Sequence, residues 1–216
     1  MKLTTGQEAG WKAAKRQHIL EEGFRLFSRK GIETVTMPEV AQASGVSRAT
    51  LYRYFPDKTE LVMAISTWKW EEYITSWRSS LKEEERARMT AAEEFGYFLD
   101  SFINLYRHHQ DILRFHYSFY NFIRLENPPD EKKLGYTRLI DGLLASFHQL
   151  YEKGMRDRTI RTDLPERMMF SALFHILLAT VTRYSVGLFY VNGGGTNPEE
   201  ELLMLRNMLY AQMVRL

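Results

Sequence analysis

The chain has 216 residues, 44% hydrophobic and 13% aromatic, which is apolar material enough for one or two domains with proper cores. It contains no cysteine, so disulfides and thiolate metal sites are excluded, and a reducing cytoplasm is the expected location. Net charge is only +2, but residues 1–60 hold ten Lys and Arg against seven Asp and Glu while the rest holds nineteen against twenty, so the basic excess lies at the N-terminal end.

The N-terminus lacks the apolar core of a signal peptide, and the most apolar run, residues 170–181, is too short for a bilayer and is interrupted by His175, so no membrane partner is expected. Residues 1–11 have no periodicity and read as a flexible arm. Lys2 within it and Lys12, Lys15 and Arg16 just after it are cations of the kind that brush a phosphate backbone or minor groove, although a solvated terminus is the simpler reading. Over residues 11–30, Ile19, Leu20, Phe24 and Phe27 recur at helical spacing until Gly31 ends the pattern.

Thr36 and Glu39 then form a capping box, which predicts a short helix from Met37 with Val40 and Ala41 on its buried face. Gly45 supplies a residue that takes positive φ without steric cost, and Ser47 starts a second short helix. Leu51 and Phe55, four apart, anchor that helix inward and leave Arg48, Thr50, Tyr52, Arg53 and Tyr54 over its remaining surface. Two helices joined by a tight glycine turn are a helix-turn-helix, over about residues 36–55, whose second member is of a size to enter a DNA major groove. Short helical hairpins also recur for packing reasons alone. The flank favours the DNA reading, because Asp57 and Glu60 cap a third helix directly afterwards, with Lys58 in its first turn.

The stretches FRLFSRKGIETVTM, VAQASGVSRATLYRYF and PDKTELVMAI occur in this order between Lys12 and about Trp70, and that segment resembles the N-terminal domain of the TetR family of bacterial transcriptional regulators. The resemblance implies an all-α protein: a three-helix DNA-binding domain over residues 12–72, then a larger helical domain, residues 73–216, for ligand binding and dimerisation. It further implies a homodimer on a palindromic operator, controlled by a small-molecule effector, with the helix from Asp57 joining the two domains. Carried over by motif, Thr36 and Lys58 hold phosphates, Tyr52 and Tyr54 meet the backbone, and Ser47, Arg48 and Thr50 face bases.

The rest of the chain reads as helices, with no period-two run to suggest strands. Trp68, Trp70, Tyr73 and Trp77 load the second half of the third helix, and the charged run 82–88 reads as a solvated connection. Thr90 and Glu93 open a helix that breaks near residues 108–111, and Asn127, Pro128 and Pro129 mark a loop. Asp163 and Glu166 are expected to cap an apolar helix, and Asn197, Pro198 and Glu200 to start the last one after a flexible loop at 192–195. In the family these last two helices pair with their copies, so Met169, Leu173, Leu177, Val181, Leu188, Leu202, Leu205, Leu209 and Met213 are expected at the dimer interface.

The second domain carries more rings with polar tips than packing needs, pointing to a largely apolar effector held among Phe98, Phe102, Tyr106, His116, Tyr117, Tyr120, Phe147, His175 and Tyr184. His116 and His175 are its polar anchors. His108 and His109 are adjacent and face different ways on a helix, so no metal site is expected, nor any cofactor. There is no GxSxG, HExxH or phosphate-cradling loop, and Gly193–Gly195 lacks a following Lys-Ser/Thr, so no enzyme is expected. The competing reading is a DNA-binding regulator or architectural protein whose second domain only dimerises or meets a protein partner.

Overall fold

A computed structural model describes residues 5–187 and 197–215. Its described residues form α1 (Thr5–Lys30), α2 (Met37–Ala43), α3 (Arg48–Tyr54), α4 (Lys58–Ser79), α5 (Glu83–Arg88), α6 (Ala91–His108), α7 (Gln110–Glu126), α8 (Asp130–Asp157), α9 (Glu166–Ser185) and α10 (Pro198–Met213). Among them the only extended pairing is an isolated antiparallel bridge between Ile160 and Val214. The fold is all-α.

The helices cluster into two compact units. The first takes the chain up to Trp70 together with Arg114–Thr137, and the second takes Glu71–Leu113 and the chain from Arg138 on. This grouping cuts across the linear boundary expected at residue 72, because most of α7 and the start of α8 pack with the N-terminal helices. Phe115 of α7 tilts against Phe24 and Phe27 of α1, with centroids 5.6 and 6.5 Å away. Ile19, Leu20, Val40, Leu51, Leu61 and Ile65 complete that core, all at 1% exposure or less. At Gly23 a Cβ would stand 2.8 Å from Ile65 Cδ1, so the glycine lets α1 and α4 approach closely.

In the second unit α6 packs against both α9 and α10. Phe95 stacks on Tyr210, and Arg206 bonds Asp100 through Nε at 2.8 Å. Tyr97 stacks on Trp77 with centroids 4.6 Å apart.

Three local expectations change. The first helix begins at Thr5, so residues 5–11 are its opening turns rather than an arm, and Lys2 lies outside the described residues. The run at 82–88 is not merely solvated, because it forms α5 and Arg86 pairs at 2.6 Å with the buried Glu94, which Lys153 also approaches at 3.2 Å. A carboxylate so buried requires cationic partners. Asp163 does not cap α9, whose N-cap is Pro165. Its carboxylate instead accepts from Arg161 and Arg215, which hold its pKa far below the ordinary range. The expected loop at 192–195 lies outside the described residues.

Candidate nucleic-acid interface

The interface is built on reciprocal caps. Thr36 Oγ1 accepts from Glu39 N at 3.4 Å, and the Glu39 carboxylate accepts from Thr36 N at 2.7 Å, so two otherwise orphaned amides at the start of α2 are satisfied. These bonds hold Glu39 below the usual carboxylate pKa. Gly45 sits at φ 61°, and Val46 N donates back to Ala41 O at 3.0 Å, closing the turn between α2 and α3.

Ser47 caps α3, accepting from Thr50 N at 3.1 Å and lying 2.9 Å from Thr50 Oγ1. Within α3 Leu51 alone is buried, at 0% exposure, and Phe55 follows at 2%. Ser47, Arg48, Ala49 and Arg53 are exposed, Tyr52 is 45% exposed, and Thr50 and Tyr54 are half-exposed. The helix therefore turns two guanidinium groups, two phenols and two hydroxyls away from its own core. Arg53 belongs to this face although it was not among the expected contacts; its charge on a helix anchored only by Leu51 and Phe55 was the available signal.

Lys58 is placed differently from expectation. Its ammonium donates to Glu33 O at 3.4 Å and lies 5.5 Å from the Phe122 ring, and burial lowers its pKa. In the single chain it braces the start of α4. Asp57, the expected cap, accepts from Glu60 N at 2.8 Å and is also bonded by Lys132. Desolvation opposes the charged form of Asp57, but these hydrogen bonds outweigh it and its pKa falls.

The expected effector residues fall into three groups. Phe98, Phe102 and Phe147 join one ring network in the second unit: Phe98 lies 5.5 Å from Phe102 and 5.8 Å from Phe147, and Phe174 lies 5.9 Å from Phe102. Tyr106 and Tyr184 meet edge to face nearby, with the Tyr184 hydroxyl donating to Glu201. His116, Tyr117 and Tyr120 belong to the first unit instead. Tyr117 and Tyr120 are 48% and 65% exposed, so neither lines an interior, because α7 turns those positions outward. His116 sits edge-on to Trp70 at 5.5 Å, and burial pushes its pKa down to about 4. Its buried Nδ1 has no hydrogen-bond partner. His175 is exposed on α9, 3.4 Å from Ser171 Oγ, and is not an interior anchor. Among the described residues no three His, Asp or Glu come together so as to hold a metal ion.

The expected dimer contacts also need correction. Met169, Leu173, Leu177, Val181 and Leu202 are at most 2% exposed within the single chain, and Leu188 lies outside the described residues. The i, i+4 stripe of α9 is buried within its own chain, where the helix packs against α6 and α10. What α9 and α10 leave outward is Met168 at 62%, Ile176 at 45%, Met204 at 64% and Met208 at 59%, beside the half-exposed Leu205, Leu209 and Met213.

Residues 19–65 match the family described as bacterial regulatory proteins, tetR family. That segment, and not the whole chain, is what the match to the tetR family covers. The chain is 42% identical over 65 residues to the HTH-type transcriptional regulator AcrR of Shigella flexneri, covering 30% of this chain and 29% of that protein. It is 31% identical over 134 residues to the nucleoid occlusion factor SlmA of Haemophilus ducreyi, covering 62% of each. The TetR-family match thus spans less than two thirds of the length of these curated relatives. The fold extends further. A transcriptional regulator from Saccharomonospora viridis in complex with choline aligns with a TM-score of 0.73 at 17% identity, over 94% of this chain and all of that one. FadR from Bacillus subtilis in complex with stearoyl-CoA aligns with a TM-score of 0.67, also at 17% identity, over 91% and 98% of the two chains. Among the described residues no helix is long and apolar enough to cross a membrane.

Proposed function

We propose that the protein is a ligand-responsive DNA-binding transcriptional regulator that binds a palindromic operator as a homodimer and is released by a small, largely apolar effector. The observation that carries this reading is the outward face of α3, where Arg48 and Tyr52 stand exposed on a helix fixed by Leu51. Arg48 has the fork geometry for a bidentate contact to guanine, while Thr36, Ser47, Thr50, Tyr52, Arg53 and Tyr54 supply donors to neighbouring bases and phosphates. One seven-residue helix reads few bases. Two copies about 34 Å apart read successive major-groove faces, which is why the reading includes a dimer. The outward methionines and Ile176 of α9 and α10 are the surface assigned to that contact.

The effector is assigned to the second unit, around the ring network of Phe98, Phe102 and Phe147. The small molecules bound by fold neighbours, choline and stearoyl-CoA, support a ligand role for this fold. Helix α4 contributes residues to both units, so a ligand that favours one packing of the second unit biases the helix that follows α3, by no more than its differential affinity for the two states. The competing reading, in which the second unit only dimerises or meets a protein, draws on the likeness to a nucleoid occlusion factor.

The test is selection of bound sequences from a random duplex pool by the full chain. Recovery of a palindrome supports the reading, and retention of duplexes without sequence preference refutes it. A subsequent screen of small apolar compounds for loss of that duplex separates the effector reading from its competitor.

A further inference from the structure

The face that α1 packs inward runs through Ile19, Leu20, Gly23 and Phe27. Continued toward the N-terminus at helical spacing, the same face meets Arg16 and Lys12. Apolar stripe thus becomes cationic stripe where the core ends. Both cations are exposed, and no carboxylate among the described residues pairs with either. The Arg16 guanidinium lies 5.1 Å from the ring centroid of Phe55, the C-cap of α3, so the cationic end of α1 is held beside the recognition helix. Trp11, one residue before Lys12, is 56% exposed with the Lys15 ammonium 4.1 Å from its ring. Because α1 is helical from Thr5, these side chains project from a rigid rod and not from a loose tail.

We infer that the opening turns of α1 are a second DNA-contact element, in which Lys12 and Arg16 hold phosphates flanking the base pairs read by α3. This rests on the DNA-binding reading above and extends it beyond the helix-turn-helix. A pair of exposed cations carried on a helix adjoining α3 loses little backbone order on meeting a phosphate and releases counterions when it does. It adds affinity without sequence preference, since phosphates carry no base information.

The experiment measures affinity of the full chain for the duplex selected by the wild type, across a salt series. Each phosphate contact contributes about 0.9 to the slope of log K against log salt, so Lys12→Gln in both subunits is expected to reduce the slope by about 1.8 while leaving base preference unchanged. Lys12→Arg is expected to retain the slope, as is Arg156→Gln, which removes an exposed cation from the second unit. Lys12 is exposed, so its substitution leaves the core intact, and an unchanged melting temperature checks that. Trp11 gives a second readout: its emission, taken as the difference between wild type and Trp11→Phe, should change on adding duplex. If Lys12→Gln and Arg16→Gln bind with the wild-type slope and Trp11 emission is indifferent to duplex, the inference is overturned. A wild-type chain that retains no duplex at all overturns the functional reading along with it.

Discussion

Leu51 and Tyr52 are neighbours on α3, yet one is fully buried and the other 45% exposed, so truncating each in turn tests which face of this helix is inward. Leu51→Ala removes three buried carbons from a side chain with no accessible surface, and such changes cost about 2–5 kcal/mol once the residual cavity is included. Within the seven-residue helix Leu51 is the only buried side chain, with Phe55 just beyond it, so that loss falls on the attachment of α3 itself. The Phe55 amide donates to Leu51 O at 2.9 Å, and its hydrogen exchange should accelerate at least tenfold. Tyr52→Ala removes a side chain with nearly half of its surface in water and should cost about 1 kcal/mol or less, well below the loss at Leu51. DNA retention should fall in both variants, for different reasons. The assay is urea unfolding followed by tryptophan emission, paired with exchange of the α3 amides and duplex binding. Equal destabilisation by the two substitutions, or an unchanged Phe55 amide in Leu51→Ala, would refute the assignment of faces.

Arg48→Ala should relax preference at one operator position by about 1–3 kcal/mol, read as a flattened base profile in the selection experiment. Ile176→Asp or Met208→Asp should shift the protein toward monomer in sedimentation while each subunit stays folded, because both side chains are exposed in the single chain. Leu173→Asp should instead lower the melting temperature steeply, since that position is only 1% exposed within the single chain. Glu39 and Glu93 accept hydrogen bonds from the amide and hydroxyl of Thr36 and Thr90, which lower both carboxylate pKa values from the ordinary 4.5. Depressed folded values mean that this cap stability is complete above about pH 4.5 and is lost as pH falls through the lower folded pKa. Thermal melts between pH 7 and 3 should therefore show an acid loss that shrinks in the Glu39→Gln, Glu93→Gln double variant.

The helix-turn-helix was legible because its signals are local. A capping box needs only Thr36 and Glu39 three residues apart, a turn needs Gly45, and an anchor needs Leu51 and Phe55 one helical turn apart. The capping box of Thr90 with Glu93 was readable on the same terms. Where the local pattern misled, a distant partner had taken the residue. Asp163 looked like a cap and serves Arg161 and Arg215.

By itself the sequence determined the helix-turn-helix, the Thr36 and Thr90 caps, and the outward chemistry of α3, since hydrogen bonds and side-chain periodicity within a few residues decide them. Only tertiary structure decided which apolar stripe of α9 is consumed within the chain. That helix is apolar on more than one face, and nothing in its own spacing distinguishes Leu173, buried within the chain, from Ile176, left in solvent. Tertiary packing likewise divided the aromatic residues, sending His116 to Trp70 in the first unit and Phe102 to Phe174 in the second. Burial is a property of which helices meet, and that is fixed by contacts between residues far apart in the chain.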